Sequence, residues 1–331
     1  MSSLRSALDS SRYNGQKQGH YESWFLRANH PSRPLGFWIR HTIFSPRDRP
    51  GEAIGELWAI FFDGERQQVV AAKQEWPIAL CTFSANGLDV SLPTATLGPD
   101  RLKGAVTSRG RLLEWDLAYG SHHRPVKLLP DNLYEGPFPK AKALSASPFA
   151  RFDGCFSVDG TPVAIDGWIG SGNHNWGSKH TDDYAWGQVA GFDGAPDVFL
   201  ECATARLKIG PVWTPRFSTL VLRVGERDYA LNSLGQALKA SGRYGYFHWQ
   251  MDSITERVRI RMSMQAPASA FVGLNYYNPP GGSHTCLNSK IASCRVVLQE
   301  RGYPERVFET AHRAAFEILT DDTRHGIAVV A

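Results

Sequence analysis

From Gly170 to Gln188 the chain reads Gly-Ser-Gly-Asn-His-Asn-Trp-Gly-Ser-Lys-His-Thr-Asp-Asp-Tyr-Ala-Trp-Gly-Gln, its densest collection of side chains able to move a proton or hold a polar ligand. His174 sits among small and amide residues, where the backbone can bend tightly and present a ring nitrogen. On a strand from Asp182 to Gln188, alternation puts Asp182, Tyr184, Trp186 and Gln188 on one face, so a carboxylate, a phenol and an indole share a wall. Such a set suits proton transfer beside an apolar ligand. It equally suits a corner in which His174, Asn175 and Trp176 lock a turn between two sheets through buried hydrogen bonds. The sequence leaves both readings open.

A second constellation runs Tyr244-Gly-Tyr-Phe-His-Trp-Gln-Met-Asp252. Alternation places Tyr244, Tyr246, His248, Gln250 and Asp252 on one face, and Phe247, Trp249 and Met251 on the other. Facing a lumen, His248 or Asp252 could give or take a proton, with the carboxyl pushed up by desolvation; facing outward, the row is only a wet surface over a core of Phe247, Trp249 and Met251. Near the start, Tyr21-Glu22-Ser23-Trp24-Phe25 sets a carboxylate among aromatics. Glu22 beside Trp24 is a reasonable general acid or an ion-pair partner for Arg27 or Arg40. The run from Asn275 to Gly282 reads as a turn whose Tyr276 could line a mouth.

Several chemistries lack their signatures: there is no GxSxG, GxxxxGK[ST], HExxH or GxGxxG pattern. His122-His123, or His174 with His180, have no acidic or cysteine partners at ligand spacing, so no metal site is expected. The 36 Lys+Arg against 32 Asp+Glu are scattered, which argues against nucleic acid. Cys81, Cys155, Cys202, Cys286 and Cys294 form no CxxC pair and are odd in number, which points to a reducing compartment. Met1 to Gln18 is polar, without the apolar run of a leader, and no stretch approaches a bilayer span. The expectation is a cytoplasmic protein with no membrane span.

The elements that must position these residues are strands. From Arg257 to Met264, Val258, Ile260, Met262 and Met264 share one face and three arginines the other. Runs at Phe37–Phe44, Glu56–Phe62, Gln68–Gln74, Arg111–Tyr119, Tyr184–Ala190, Thr219–Val224, Gly245–Met251 and Ser293–Gln299 read similarly, separated by turns such as Asp63-Gly64 and Asp159-Gly160. Ser3–Ser10 and Leu231–Ala240 are the helix candidates, and the Pro-rich Pro125–Pro148 should cross a surface or cap a barrel mouth. So many strands exceed what one open sheet holds without curling, so an all-β protein of two consecutive antiparallel β-barrels with little helix is predicted. The boundary is placed at Gly191–Pro196, giving domains 1–193 and 194–331.

The Tyr21-Glu22-Ser23-Trp24-Phe25 run resembles the aromatic-Glu-x-Trp-aromatic opening of tocopherol cyclases. Asn173-His174-Asn175-Trp176-Gly177, with the later Trp186, resembles the His-Asn-Trp-Gly signature of the double-lipocalin superfamily, which includes carotenoid hydratases of the hydroxyneurosporene synthase type and lipocalin-like Diels-Alderases. The Asp-Ala-Asn-x-Gly run of the carotenoid hydratases is missing here. The resemblance implies two lipocalin-like barrels and a cofactor-independent enzyme that performs an acid-assisted cyclisation, hydration or isomerisation on an isoprenoid, polyene or polyketide; a carrier or sensor of a hydrophobic ligand is the alternative. The expected partner is that lipophilic molecule, with homodimerisation left open. Glu22, His174, Asp182, His248 and Asp252 are the candidate catalytic residues, and Trp24, Trp176, Tyr184, Trp186, Tyr246, Trp249 and Tyr276 the candidate substrate contacts. Aromatic faces around such a site would stabilise developing positive charge.

Overall fold

The computed structural model describes residues 7–331. Strand accounts for 62% of it and helix for 6%, far below the third expected of an ordinary globular chain, so the all-β reading holds. The first sheet is built from β1 (His20–Asn29), β2 (Leu35–Ser45), β3 (Ile54–Asp63), β4 (Gln68–Pro77), the short β5 (Thr82–Phe83), β6 (Val90–Leu92) and β7 (Ala95–Leu97), then β8 (Arg101–Ser108), β9 (Arg111–Gly120), β10 (Val126–Lys127), β11 (Ala141–Val158) and β12 (Thr161–Gly177). Its order is β4-β3-β2-β1-β12-β11-β9-β8-β7-β6-β5, with β10 on β11. The second sheet comprises β13 (Asp183–Phe192), β14 (Ala195–Arg206), β17 (Phe217–Val224), β18 (Arg227–Leu231), β19 (Ser241–Gly245), β20 (His248–Ile254), β21 (Val258–Gln265), β22 (Val272–Tyr277), β23 (Ser283–Glu300) and β24 (Arg306–Thr320). It runs β18-β17-β14-β13-β24-β23-β21-β20-β19, with β22 on β23. A separate ribbon pairs β15 (Lys208–Ile209) with β16 (Val212–Trp213).

All ladders within the two sheets are antiparallel, and each sheet curls around its own core. Trp24, Phe37, Ile39, Leu57, Phe152, Phe156 and Trp168 fill the first curl. Ala185, Val189, Leu200, Trp249, Met262 and Phe316 belong to the core of the second. The long strands bend by bulges, between Ser145/Ser147 and Pro148/Ala150 in β11 and between Ser289/Ala292 in β23, where an extra residue increases local twist. The passage from one sheet to the other occurs at 178–182. The turn at Gly191–Pro196 is a hairpin between β13 and β14 of the second sheet.

The two curls lie back to back, and this explains why their strands read differently. β9, with a core on one side only, alternates buried and exposed residues. β1 and β3 are buried along nearly their whole length, because one face looks into the first curl and the other at the second sheet. On β1, Trp24, Leu26 and Ala28 point inward while Phe25, Arg27 and Asn29 meet the other sheet. Within the first sheet β12 presses on β1 at Gly170, where a Cβ would stand 1.7 Å from the Arg27 carbonyl oxygen. α1 (Leu234–Lys239) starts at Ser233, whose side chain accepts from the Gln236 N–H, within the segment expected to be helical. Of the other helix candidate, Ala7–Asp9 forms a helical turn and residues 3–6 lie outside the described residues.

Candidate functional site

Two buried polar clusters gather the candidate residues, and β1 contributes to both because its side chains alternate between the two faces. On the inward face, Glu22 and His174 are fully buried and joined, His174 Nε2 lying 2.9 Å from Glu22 Oε1. Glu22 also accepts from the Arg12 backbone N–H (2.9 Å), the Ser11 hydroxyl (3.1 Å) and His20 Nε2 (3.0 Å). The other His174 nitrogen meets the Leu8 carbonyl at 2.7 Å, and Trp24 Nε1–H donates to the Asp9 carbonyl at 2.8 Å. The His174 ring stacks on Trp24 (4.7 Å), and the Arg12 guanidinium covers Trp176 at 3.7 Å. Residues Leu8 to Arg12 are thus strapped over this end of the first curl. Burial pushes the Glu22 carboxyl up, but the hydrogen bonds and charges of His174 and His20 outweigh it and hold the pKa at about 2. That is the opposite of the shift a general acid needs, and its arginine partner is Arg12, since Arg27 and Arg40 lie on the other face of the sheet.

The outward half of the same motif welds the two sheets. Asn173 accepts from Gln188 Nε2 (2.8 Å), Ser171 donates to Gln188 Oε1 (2.6 Å), and the buried Arg27 donates from Nε to the same oxygen (3.0 Å). Asn29 receives Arg27 Nη1 and donates to the Lys290 carbonyl.

Beside this weld lies the second cluster, between the sheets. β13 directs Tyr184 and Trp186 there as alternation requires, and the register places Glu317 opposite Trp186 and Asn288 opposite Glu317. Lys290, wholly buried, donates to Glu317 Oε1 (2.7 Å) and Asn288 Oδ1 (2.5 Å), with its ammonium 5.5 Å from the Trp38 ring and 5.9 Å from that of Trp186. Burial pushes the Lys290 ammonium down from its ordinary value, opposed by Glu317. Arg40 is 3% exposed and lies 4.4 Å over the Tyr276 ring; its Nε has no hydrogen-bond partner among the described residues, and Tyr276, Glu56 and Glu317 favour its charge against burial. Around it, burial raises the phenols of Tyr21, Tyr184 and Tyr276, which therefore stay neutral donors. His180 stacks on Tyr21 at 3.8 Å and is driven well below its usual range by burial, then by Arg40 and His284. Phe25, Trp38, Trp58 and Trp186 supply the apolar walls. At the far side of Trp186, whose indole N–H donates to it at 3.3 Å, burial lifts the Glu201 carboxyl to about 7. Its second oxygen has no partner among the described residues.

The structure thus divides the residues singled out by sequence. Glu22, Trp24, His174 and Trp176 share the strap cluster; Tyr184, Trp186 and Tyr276 share the inter-sheet cluster. Trp186 therefore does not stand beside His174, because it belongs to the second sheet's outward face. Asp182 falls in the connection before β13, paired to Lys179 at 2.5 Å. Tyr246 and Phe247 form the hairpin turn between β19 and β20, where a continuous strand is predicted. His248 is exposed beyond that turn, and Trp249 packs wholly inside the second curl. Asp252 lies on the outer surface beside an open cleft of about 540 Å³ and is held below the usual carboxylate range by Arg259. Tyr276 lies within β22, paired in the sheet, where a turn is predicted. Arg40 enters the sequence reading only as an ion-pair partner, and Lys290, Glu317 and Glu201 do not enter it. Their one sequence signal is a lone charge inside an apolar strand, as in Val198-Phe-Leu-Glu-Cys-Ala203.

Among known proteins, no family model and no curated sequence matches the chain. Solved structures do. An AttH-type protein of Nitrosomonas europaea superposes with a TM-score of 0.57 at 11% identity, covering 94% of this chain and 96% of that one. Kievitone hydratase of Nectria haematococca gives 0.59 at 11% identity over 93% of each chain. CghA gives 0.55 at 12% identity over 93% and 90%. At these identities the likeness concerns architecture, and it runs nearly end to end: the chain has the double-lipocalin fold that these proteins share.

Proposed function

We propose that the chain is an enzyme acting on a lipophilic small molecule, an isoprenoid, polyene or polyketide with an oxygen at its reacting end, bound between the two curled sheets. The observation that carries this reading is Arg40: a buried guanidinium whose Nε has no partner among the described residues, next to three neutral phenols and walled by tryptophans. An unpaired buried donor set costs stability, and it gains its use when an oxygen of developing negative charge is placed against it. In this reading Arg40 with Tyr184 and Tyr276 holds the substrate oxygen. Phe25, Trp38, Trp58 and Trp186 hold its apolar body, whose burial supplies the binding energy. Lys290, set between Glu317 and Asn288, is the proton donor, and its charge over two indole faces marks where positive charge is tolerated. Acid-assisted cyclisation, hydration and isomerisation all need this pairing of an oxygen hold with a proton source, and none of the assigned roles requires a cofactor. The related structures support the choice of class, since one bears the name of a hydratase.

The test is proton exchange. The purified chain is incubated in D2O with a panel of prenylated phenols and polyene ketones, and products and recovered substrates are read by mass spectrometry. Enzyme-dependent deuterium incorporation that disappears in Arg40→Met and in Lys290→Met is expected. Tight binding without incorporation by any panel member would replace catalysis by carriage.

A further inference from the structure

Between β14 and β17 the chain leaves both sheets. Lys208–Ile209 and Val212–Trp213 pair only with each other, closed by reciprocal contacts of Leu207 and Thr214. The ribbon is tied back to the body at its base, where the Lys208 N–H donates to Asp182 at 3.0 Å. Its tip, Ile209-Gly-Pro-Val-Trp213, puts large apolar side chains into solvent: Ile209 is 68% exposed, Val212 65% and Trp213 37%. A two-stranded ribbon is marginal in water by itself, and apolar side chains grouped at its tip gain nothing there. α1 packs on β17, the strand into which the ribbon leads, and adds Leu234 and Leu238, both exposed.

The charges around this tip are of one free sign. Arg206 lies 4.3 Å over the Trp213 ring, Lys208 5.9 Å from it, and Arg216 covers Tyr244. The two carboxylates at the ribbon's base are already taken, Asp182 by Lys179 and Asp183 by Arg206. Lys208 and Arg216 have no carboxylate partner among the described residues. An aliphatic and tryptophan tip flanked by Lys208 and Arg216, with the paired Arg206 over its indole, matches the layering of an anionic membrane surface, with apolar groups at the acyl boundary, an indole at the headgroup level and cations against phosphates. The ribbon's position adds a purpose. It grows from Arg206, paired across the sheet with Asp183, the neighbour of Tyr184, so it hangs at the same end of the molecule as the Tyr184 and His180 side of the inter-sheet cluster.

We propose that the Leu207–Arg216 ribbon docks the protein on an anionic lipid bilayer, lying on it and not crossing it, so that the inter-sheet site takes its lipophilic substrate from the membrane. The docking stands on the ribbon alone; only the direction of substrate transfer rests on the proposed catalytic reading.

The experiment is co-sedimentation of the full chain, without substrate, with vesicles of phosphatidylcholine and of phosphatidylcholine mixed with phosphatidylglycerol. Binding to the mixed vesicles that weakens with salt is expected, because exposed charges are screened. Reversing two surface cations in Lys208→Glu/Arg216→Glu should weaken it by more than about tenfold. Ile209→Asp/Val212→Asp should abolish it at an unchanged melting temperature; if that variant proves poorly folded, Ile209→Ser replaces it. Brominated lipid should quench the wild type more than Trp213→Phe. Equal binding by ribbon variants and wild type, or no binding to mixed vesicles, overturns the proposal. So does a wild-type dimer that the ribbon variants dissociate in vesicle-free sedimentation, which would assign the tip to a second copy of the chain. Since deuterium incorporation is read from soluble substrate, a wild-type chain that incorporates deuterium but binds no vesicles overturns the docking alone.

Discussion

The Glu22 cluster and the Arg40 cluster are both buried and both charged, one centred on β1 and the other on its neighbour β2, yet they spend their polar groups in opposite ways. Glu22 accepts from the backbone, a hydroxyl and two imidazoles, all within 3.1 Å. Arg40 lies against aromatic faces, and its Nε finds no acceptor among the described residues. A satisfied buried ion rigidifies what it touches; an unsatisfied one is tolerated at a cost in stability and concentrates at functional sites. The first cluster ties the segment before β1 onto the first curl. The second leaves donors pointed at the layer between the sheets. Stability is stored at the strap, and binding capacity between the sheets.

The largest effect expected from this contrast is at the strap. Glu22→Gln leaves His20, His174 and the Arg12 N–H facing a neutral amide, and breaking a buried pair on one side costs about 3–5 kcal/mol. Urea unfolding at neutral pH measures it. The pH dependence has a definite sign: a carboxyl held at about 2 in the folded state and near its ordinary value when unfolded stabilises the protein above that ordinary value. That contribution disappears as pH falls through the window down to about 2, so the wild type should become acid-labile there and Glu22→Gln should lack this part of the slope. A wild-type melting temperature in Glu22→Gln would break the comparison.

Arg40→Met should show the opposite pattern. Turnover is expected to fall roughly 10²–10³-fold, as when one donor to a developing oxyanion is removed. Stability should change little, because the burial cost of the guanidinium and its attraction to Glu56 and Glu317 are removed together. A variant that both loses activity and unfolds easily would place Arg40 with Glu22 as a structural ion.

Glu201 gives a third, smaller effect. Its carboxyl is lifted to about 7, so between its ordinary pKa and 7 the folded state holds a proton that the unfolded state has released. Stability must therefore fall as pH rises across that window and level off above it, by about 1–3 kcal/mol, the penalty of a poorly satisfied buried group. Glu201→Gln should flatten the slope in denaturation curves measured through that range, whereas an unchanged slope would show that Glu201 is not the group responsible.

The fold was legible where one face is wet. Val258, Ile260, Met262 and Met264 alternate with arginines, and β21 is found at Val258–Gln265. It was not legible where both faces are buried. β1 has no alternation to reveal that Glu22 looks inward and Arg27 outward; the pairing of β1 with β2 and β12 decides that. The turn at Tyr246–Phe247 was hidden by a different cause: a non-glycine residue, Phe247 with φ 72°, makes a bend in a run that otherwise reads as strand. The placing of Tyr184 and Trp186 together in the inter-sheet cluster followed from their alternation. Lys290 and Glu317 come from the last two strands, and only the register of the sheet brings them to Trp186.

The smallest expected effect is at Asp252, a useful control because its residue type and aromatic neighbourhood fit an acid as well as Glu22 does. In the fold it has neither the strap's saturation nor the inter-sheet burial. Its side chain is 36% exposed and forms a two-pronged pair with Arg259, at 3.0 and 2.6 Å, on the rim of an open cleft. Water and salt screen such a pair, and exposed pairs contribute about 0–1 kcal/mol whatever their geometry suggests. Asp252→Asn should therefore change unfolding free energy by less than about 1 kcal/mol. Deuterium incorporation should stay at the wild-type rate, because Trp249 and Met251 separate this face from the interior. Loss of turnover in Asp252→Asn at unchanged stability would move the chemistry to the outer surface of the second sheet, and would leave the buried Arg40 without a catalytic role.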